Sequence, residues 1–307
     1  MTDVLLLMLP IFTMIAIGSL FVWRGWFSAD GLPMLNRFVM NACIPVLLFS
    51  AVTNGESLSD FSWLNALTYA LGSLGSVAVL WVFLSYGMRE AQSQSIILGL
   101  GGATANTIFL GFPIASAFIP ERAAEAFSWV VFAEVAIIMP LVTTLALLVE
   151  EKHEGNALSA VLLALVQSPV VLGLIAGFTF LATGLSLPSW VDQVITSIVS
   201  AAPFVALFVI GGSILQFRVS RSGPRVLTVT LAKLIVHPLF VGAAFCVVFG
   251  WADPVTRDAI LFACMPLFLS FVAFCGRHSV GDVGASAIVM STLLGAVTVP
   301  VVLGFLF

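Results

Sequence analysis

Ten apolar stretches, each near or above the length that carries a helix across a bilayer, follow one another with short hydrophilic gaps between them. They cover residues 4–23, 35–52, 64–84, 93–119, 126–149, 158–181, 191–215, 226–249, 256–274 and 283–306. A hydrocarbon core of about 30 Å takes roughly 20 helical residues. The runs lack the apolar–polar alternation of an outer-membrane barrel strand. Helices satisfy every backbone amide and carbonyl within the segment, which lipid demands. The expected fold is therefore all-α and polytopic, with ten transmembrane helices.

Composition agrees. Of 307 residues, 61% are hydrophobic and 8% are charged, against about 25% charged in soluble domains. The bilayer is the expected partner, and no basic run points to nucleic acid. Cys43, Cys246, Cys264 and Cys275 form no CxxC pair, so packing rather than a metal or a disulfide is expected of them. No cofactor is indicated. Met1-Thr2-Asp3 leads straight into the first stretch without the basic start and small-residue cleavage site of a signal peptide, so that stretch reads as a retained helix.

Arg24, Arg37, Arg89, Lys152, Arg218, Arg221, Arg225 and Arg277 fall in gaps on one side, and Arg122 and Arg257 on the other. The positive-inside rule then puts both termini on the extracytoplasmic side of the cell (inner) membrane. The seven tryptophans lie near the ends of stretches, as an interfacial belt requires.

The longest gap, 150–156, leaves five stretches on either side. An odd number per half forces opposite orientations, so the expected organisation is two inverted repeats, residues 1–152 and 153–307. Pro45 with Leu48-Phe49 is echoed by Pro203 with Leu207-Phe208, and Pro140-Leu141-Val142 by Pro300-Val301-Val302. Secondary transporters are often built this way, with their sites at broken helices near mid-membrane.

Two stretches should be broken. The fourth holds Gly99, Gly101, Gly102, Gly111 and Pro113, with Asn106 and Thr107 among them. Proline removes a donor and clashes with the preceding turn, which places a break near 106–113. The ninth holds Met265-Pro266, with Ser270 one turn on. Where the breaks cross, half-helix N-termini would offer amides and positive dipole ends to a carboxylate or another small anion. Asn41, just before Pro45, either packs or lines the pathway.

Charges inside the stretches are costly and usually functional. Glu134 lies roughly 12 Å deep at 1.5 Å per residue. It could carry a coupling proton, bind sodium with Asn106, or sit in a structural ion pair. Lys233 is a second candidate for coupling, although snorkelling to the inner interface is the reading preferred for it. His237, one turn later and just before Pro238, reads as a packed residue.

The string Asn106-Thr107-Ile108-Phe109-Leu110-Gly111-Phe112-Pro113 resembles the fourth-helix motif of the auxin efflux carrier family. Lys233 to Pro238, Met265-Pro266 and the run Ser291-Thr292-Leu293-Leu294…Thr298…Pro300 are similar to it as well. The resemblance covers essentially the whole chain and includes bacterial malonate and malate permeases. It implies a secondary transporter of small organic anions, mono- or dicarboxylates, and not an enzyme. It implies a scaffold domain (4–53 and 158–215), a mobile transport domain (64–149 and 226–307), elevator-type alternating access, and a homodimer formed through the scaffold. By motif match the substrate site maps to Asn106, Thr107, Gly111, Pro113, Met265 and Pro266, and crossed fourth and ninth helices would enclose it. The ninth-helix stretch is apolar here, unlike the polar motif of the plant carriers, and their large central loop is missing. Rival expectations are a sodium-coupled carrier of the bile-acid symporter type and a membrane sensor that binds its ligand without moving it.

Overall fold

The computed structural model describes residues 2–53, 61–150, 163, 166–214 and 223–307, and they are helical almost throughout. The helices are α1 (Thr2–Trp23), α2 (Ala29–Thr53), α3 (Trp63–Gly87), α4 (Gln92–Gly101), α5 (Thr107–Phe118), α6 (Ala123–Leu148), α7 (Pro169–Thr183), α8 (Ser189–Ile214), α9 (Pro224–Val248), α10 (Pro254–Ala263), α11 (Phe271–Arg277) and α12 (Gly281–Leu306). Seven of these (α1, α2, α3, α6, α8, α9 and α12) are long and apolar enough to cross a membrane. The chain is a multi-pass membrane protein. The expected fourth and ninth stretches are each split in two, into α4 with α5 and α10 with α11. Most of the 150–156 gap and the start of the sixth stretch lie outside the described residues.

Helix ends follow local chemistry. Pro169, Pro224 and Pro254 open α7, α9 and α10, where the missing N–H has no intrahelical partner to lose. Asp253 caps α10 through Val255 N–H at 2.9 Å. Gly184 ends α7 at φ 66°, a conformation that suits glycine.

Inside the helices proline acts differently. Five π-helical turns interrupt the α geometry among the described residues. Four of them, Val39–Cys43, Thr107–Gly111, Ala133–Ile138 and Ala232–Val236, end two residues before Pro45, Pro113, Pro140 and Pro238. Widening one turn relieves the clash of the proline ring with the carbonyl a turn earlier. These turns also carry the polar residues that stood out in the sequence. Glu134 and Lys233 are each the second residue of a π turn, Asn41 the third, and Asn106 the residue before one.

The helices pack in two groups. α1 lies along α8, and α2 lies along α7 and α8. Backbones meet closely there: a Cβ on Gly173 would sit 2.5 Å from the Pro45 carbonyl oxygen, and one on Gly211 would collide with the Ile15 carbonyl. Small residues permit such approach, and membrane helices gain dispersion contact from it. The second group gathers α3, α4, α5, α6 and α9 to α12, with α3 along α9 and α11 along α12. The seam between the groups runs where α2 meets α6, α5 meets α8 and α1 meets α5 and α12. Of the tryptophans, Trp129 departs from the belt: it is buried against Tyr69 and Phe245 in the second group.

Candidate functional site

The two interruptions cross. Between α4 and α5 the chain leaves the helix at Gly102 and runs to Asn106; between α10 and α11 it does so from Cys264 to Ser270. Ala105 and Leu267 pair there as an isolated antiparallel bridge, and Asn106 N–H donates to the Pro266 carbonyl at 2.7 Å. The first break comes earlier than 106–113. The glycines Gly99, Gly101 and Gly102 end α4, while Pro113 is absorbed by the π turn that opens α5.

Each break exposes peptide groups in a dry interior, where an unmet group costs about 1–3 kcal/mol. Side chains from flanking helices meet them in matched pairs. Ser76 of α3 donates to the Gly102 carbonyl at 2.6 Å, and Lys233 of α9 donates to the Ala263 carbonyl at 2.7 Å. Ala105 N–H donates to Glu134 Oε1 of α6 at 3.0 Å, and Leu267 N–H to Ser291 Oγ of α12 at 3.2 Å. Asn106 Oδ1 caps α5 through Phe109 N–H at 3.3 Å. The snorkelling expected of Lys233 is overturned: its side chain is 0% exposed and spends its charge on a helix C-terminus, where a cation is favoured. Glu134 is 4% exposed. The two charges act on each other electrostatically without an ion-pair contact.

A cavity of about 190 Å³ opens beside the crossing. Asn106, Glu134, Ser168 and Ser270 give it polar edges, and Met40, Ile108, Phe109, Val135, Met139, Phe268 and Phe274 give it apolar walls. Its lining comes from both helix groups, since Met40 belongs to α2, and Ser168 directly precedes α7. Of the expected residues, Asn106, Glu134 and Ser270 meet here. Thr107 and Tyr69 are buried beside Glu134, with their hydroxyls turned towards its carboxyl group. Gly111 and Pro113 are buried further along α5, with Phe262 against Gly111. Met265 and Pro266 line a separate apolar cavity of about 120 Å³, walled by α1, α5 and α12. Asn41 is exposed, and its neighbour Met40 takes the place at the polar cavity. Sequence reasoning passed over Ser168, Ser76, Tyr69 and the Ser73–His237 contact. Ser291 stood in a quoted motif without a role.

At one end of the second group, Arg122 grips Asp258 through two bonds of 2.8 and 3.1 Å. That hydrogen bond raises the Arg122 pKa further above its ordinary value. Arg225 holds Glu90 at 2.5 Å, which ties the start of α9 to the segment before α4.

Comparison with known proteins matches the same extent of chain. A curated protein of Rhizobium meliloti (strain 1021), named "Putative malonate transporter", is 24% identical over 307 residues, covering 97% of this chain and 94% of its own. An "Uncharacterized transporter" of Methanothermobacter thermautotrophicus is 25% identical over 299 residues, covering 95% of each. The family model described as "Membrane transport protein" matches residues 3–303. With nearly the whole length accounted for, the chain belongs to the membrane transport protein family, the auxin efflux carrier family that its motifs resemble.

Proposed function

We propose that this chain is a secondary transporter of small organic anions that binds its substrate in the cavity beside the helix crossing. One observation carries the reading: a partly polar cavity lies on the seam between two helix groups, next to two broken helices whose peptide groups are met by side chains. Helix α5 begins at that cavity, and α7 begins just after Ser168. Their N-terminal amides and dipoles favour a carboxylate. Asn106, Ser168 and Ser270 line the cavity with side chains that can donate to that carboxylate. The name of the Rhizobium relative makes malonate the first substrate to try, followed by malate-like and auxin-like acids.

The matched treatment of the two breaks supports ten spans in two inverted repeats. The two packing groups support a division into a scaffold (4–53 and 158–215) and a transport domain (64–149 and 226–307). Sliding of one group along the other would expose the seam cavity to each side in turn, which is the elevator form of alternating access. Dimerisation through the scaffold, residence in the cell membrane and extracytoplasmic termini complete the proposal. Glu134, within the cavity and beside Lys233, is the proposed coupling group, with a proton as the coupled ion. The Lys233 ammonium already sits at the carbonyl end where a coupling sodium would otherwise be welcome, which favours the proton over sodium.

The test is a thermal-shift screen of the purified protein against mono- and dicarboxylates, followed by uptake into proteoliposomes with and without sodium. A ligand that binds only the folded form raises its stability. Saturable, sodium-independent uptake of a stabilising acid is the expected result. Tight binding with no counterflow would replace the carrier by the sensor, and strict sodium dependence would replace the proton by sodium.

A further inference from the structure

Lys233 does not stand alone in the core. His237 Nδ1 lies 2.6 Å from Lys233 Nζ, and His237 Nε2 lies 2.9 Å from Ser73 Oγ on α3. Ser73, Lys233 and His237 are all 0% exposed. An ammonium can only donate, so Nδ1 accepts, and the ring proton, assigned from these partners, sits on Nε2 and is donated to Ser73. The chain Ser73–His237–Lys233–Ala263 therefore joins α3 and α9 to the C-terminus of α10. It has little slack, because α3 and α9 are in close contact: a Cβ on Gly72 would lie 2.7 Å from the Val241 Cα.

The ammonium is consequently held on Ala263 and His237 while an opposite charge stands nearby on α6. Lysine is a point charge on a flexible stem, and opposite charges attract strongly in a dry interior. With His237 gone, the Ala263 carbonyl alone would hold Lys233 against the pull of Glu134. The other titratable groups facing this cluster are Tyr69 of α3, beside Glu134, and Cys264 at the second break, beside Lys233.

We propose that His237, anchored by Ser73, is a positioning residue that keeps Lys233 from closing an ion pair with Glu134, so that Glu134 remains free to take up and release a proton. The inference rests on the reading of Glu134 as the coupling group. His237 touches neither the cavity nor the substrate; it acts through Lys233.

The test is made on the full chain in lipid, with two readouts. The carboxyl infrared band of Glu134, identified by its loss in E134Q, is titrated with pH, and uptake is measured over the same range. In H237L the acceptor is gone, and the Glu134 midpoint is expected to fall by about one pH unit or more, a tenfold change in proton concentration. H237Q keeps an acceptor and is expected to restore the midpoint to near the wild-type value. S73A, which frees the far side of the ring, moves it less in the same direction. An unmoved midpoint in H237L overturns the proposal; should H237L fail to fold, an unmoved midpoint in S73A does so. A midpoint that moves while wild-type uptake ignores pH upholds the positioning role and removes the coupling role of Glu134.

Discussion

Asn106 donates its backbone N–H to the Pro266 carbonyl at 2.7 Å, and so fastens one broken helix to the other at the level of the main chain. The same residue caps α5 with its side chain and borders the polar cavity. Three tasks thus meet on one position, and its backbone share survives any replacement except proline, which lacks the N–H.

Asn106→Ala separates those tasks. Loss of the cap destabilises by roughly 1 kcal/mol, which leaves a folded protein. Loss of a hydrogen bond to a charged substrate is worth about 1.5–3 kcal/mol, or roughly tenfold to a hundredfold in affinity. Uptake in proteoliposomes should fall by at least that factor while the melting temperature drops by only a few degrees. Wild-type uptake in this variant would remove Asn106 from the site.

Glu134 offers a cleaner split between charge and structure. Glu134→Gln still accepts from Ala105 N–H, so folding should be close to normal while the pH dependence of uptake flattens. Glu134→Ala leaves that buried amide unmet at a cost of about 1–3 kcal/mol. A lower melting temperature is expected for the alanine variant than for the glutamine variant. Equal stability of the two would mean that the Ala105 contact contributes nothing.

The Arg122–Asp258 pair is lopsided, since the arginine side chain is 42% exposed and the aspartate 3%. Removing the exposed partner strands a buried carboxylate, whereas removing the buried partner returns an arginine to water. Arg122→Gln should therefore destabilise by more than Asp258→Asn, by about 1–3 kcal/mol against less than 1. The double variant should recover part of the loss. Denaturation of all three alongside wild type measures the order, and a reversed order contradicts the burial argument.

Gly211 tests the first helix group. A methyl group there meets the Ile15 carbonyl, so Gly211→Ala has to push α1 away from α8. Overpacking of this kind costs about 1–3 kcal/mol. Because the contact lies away from the cavity lining, stability should fall with KM for substrate little altered. A changed KM with unchanged stability would tie this helix pair to the site.

Much of this architecture could be read from residue order, and the failures are specific. Glu134 drew attention because a carboxylate in an apolar run has few other uses. The destination of Lys233 was harder, since a long side chain on α9 reaches either inward or along the helix, and rotation about the axis decides which. Rotation also exchanged Asn41 for Met40, as a step of one residue turns the side chain by about 100°. The first break was placed too late because proline was given more weight than glycine. In the molecule the glycines end the helix, and a widened turn accommodates the proline. Ser76 carries no warning in sequence, and the motif around Ser291 does not show its role, because single hydroxyls are ordinary in membrane helices and only the neighbouring open peptide groups give these two work.

Glu134 and Lys233 belong to the same tightly joined group of helices, so any rigid displacement of that group moves a negative and a positive charge in step. The membrane potential does work of about 2.3 kcal/mol per elementary charge per 100 mV, and for this pair the two contributions cancel. In the proposed elevator, an empty return stroke would then be blind to voltage. A monocarboxylate travelling with one proton leaves it so, while a doubly charged acid with one proton adds a single negative charge to the moving body. Current recorded during turnover would accordingly report the valence of the cargo.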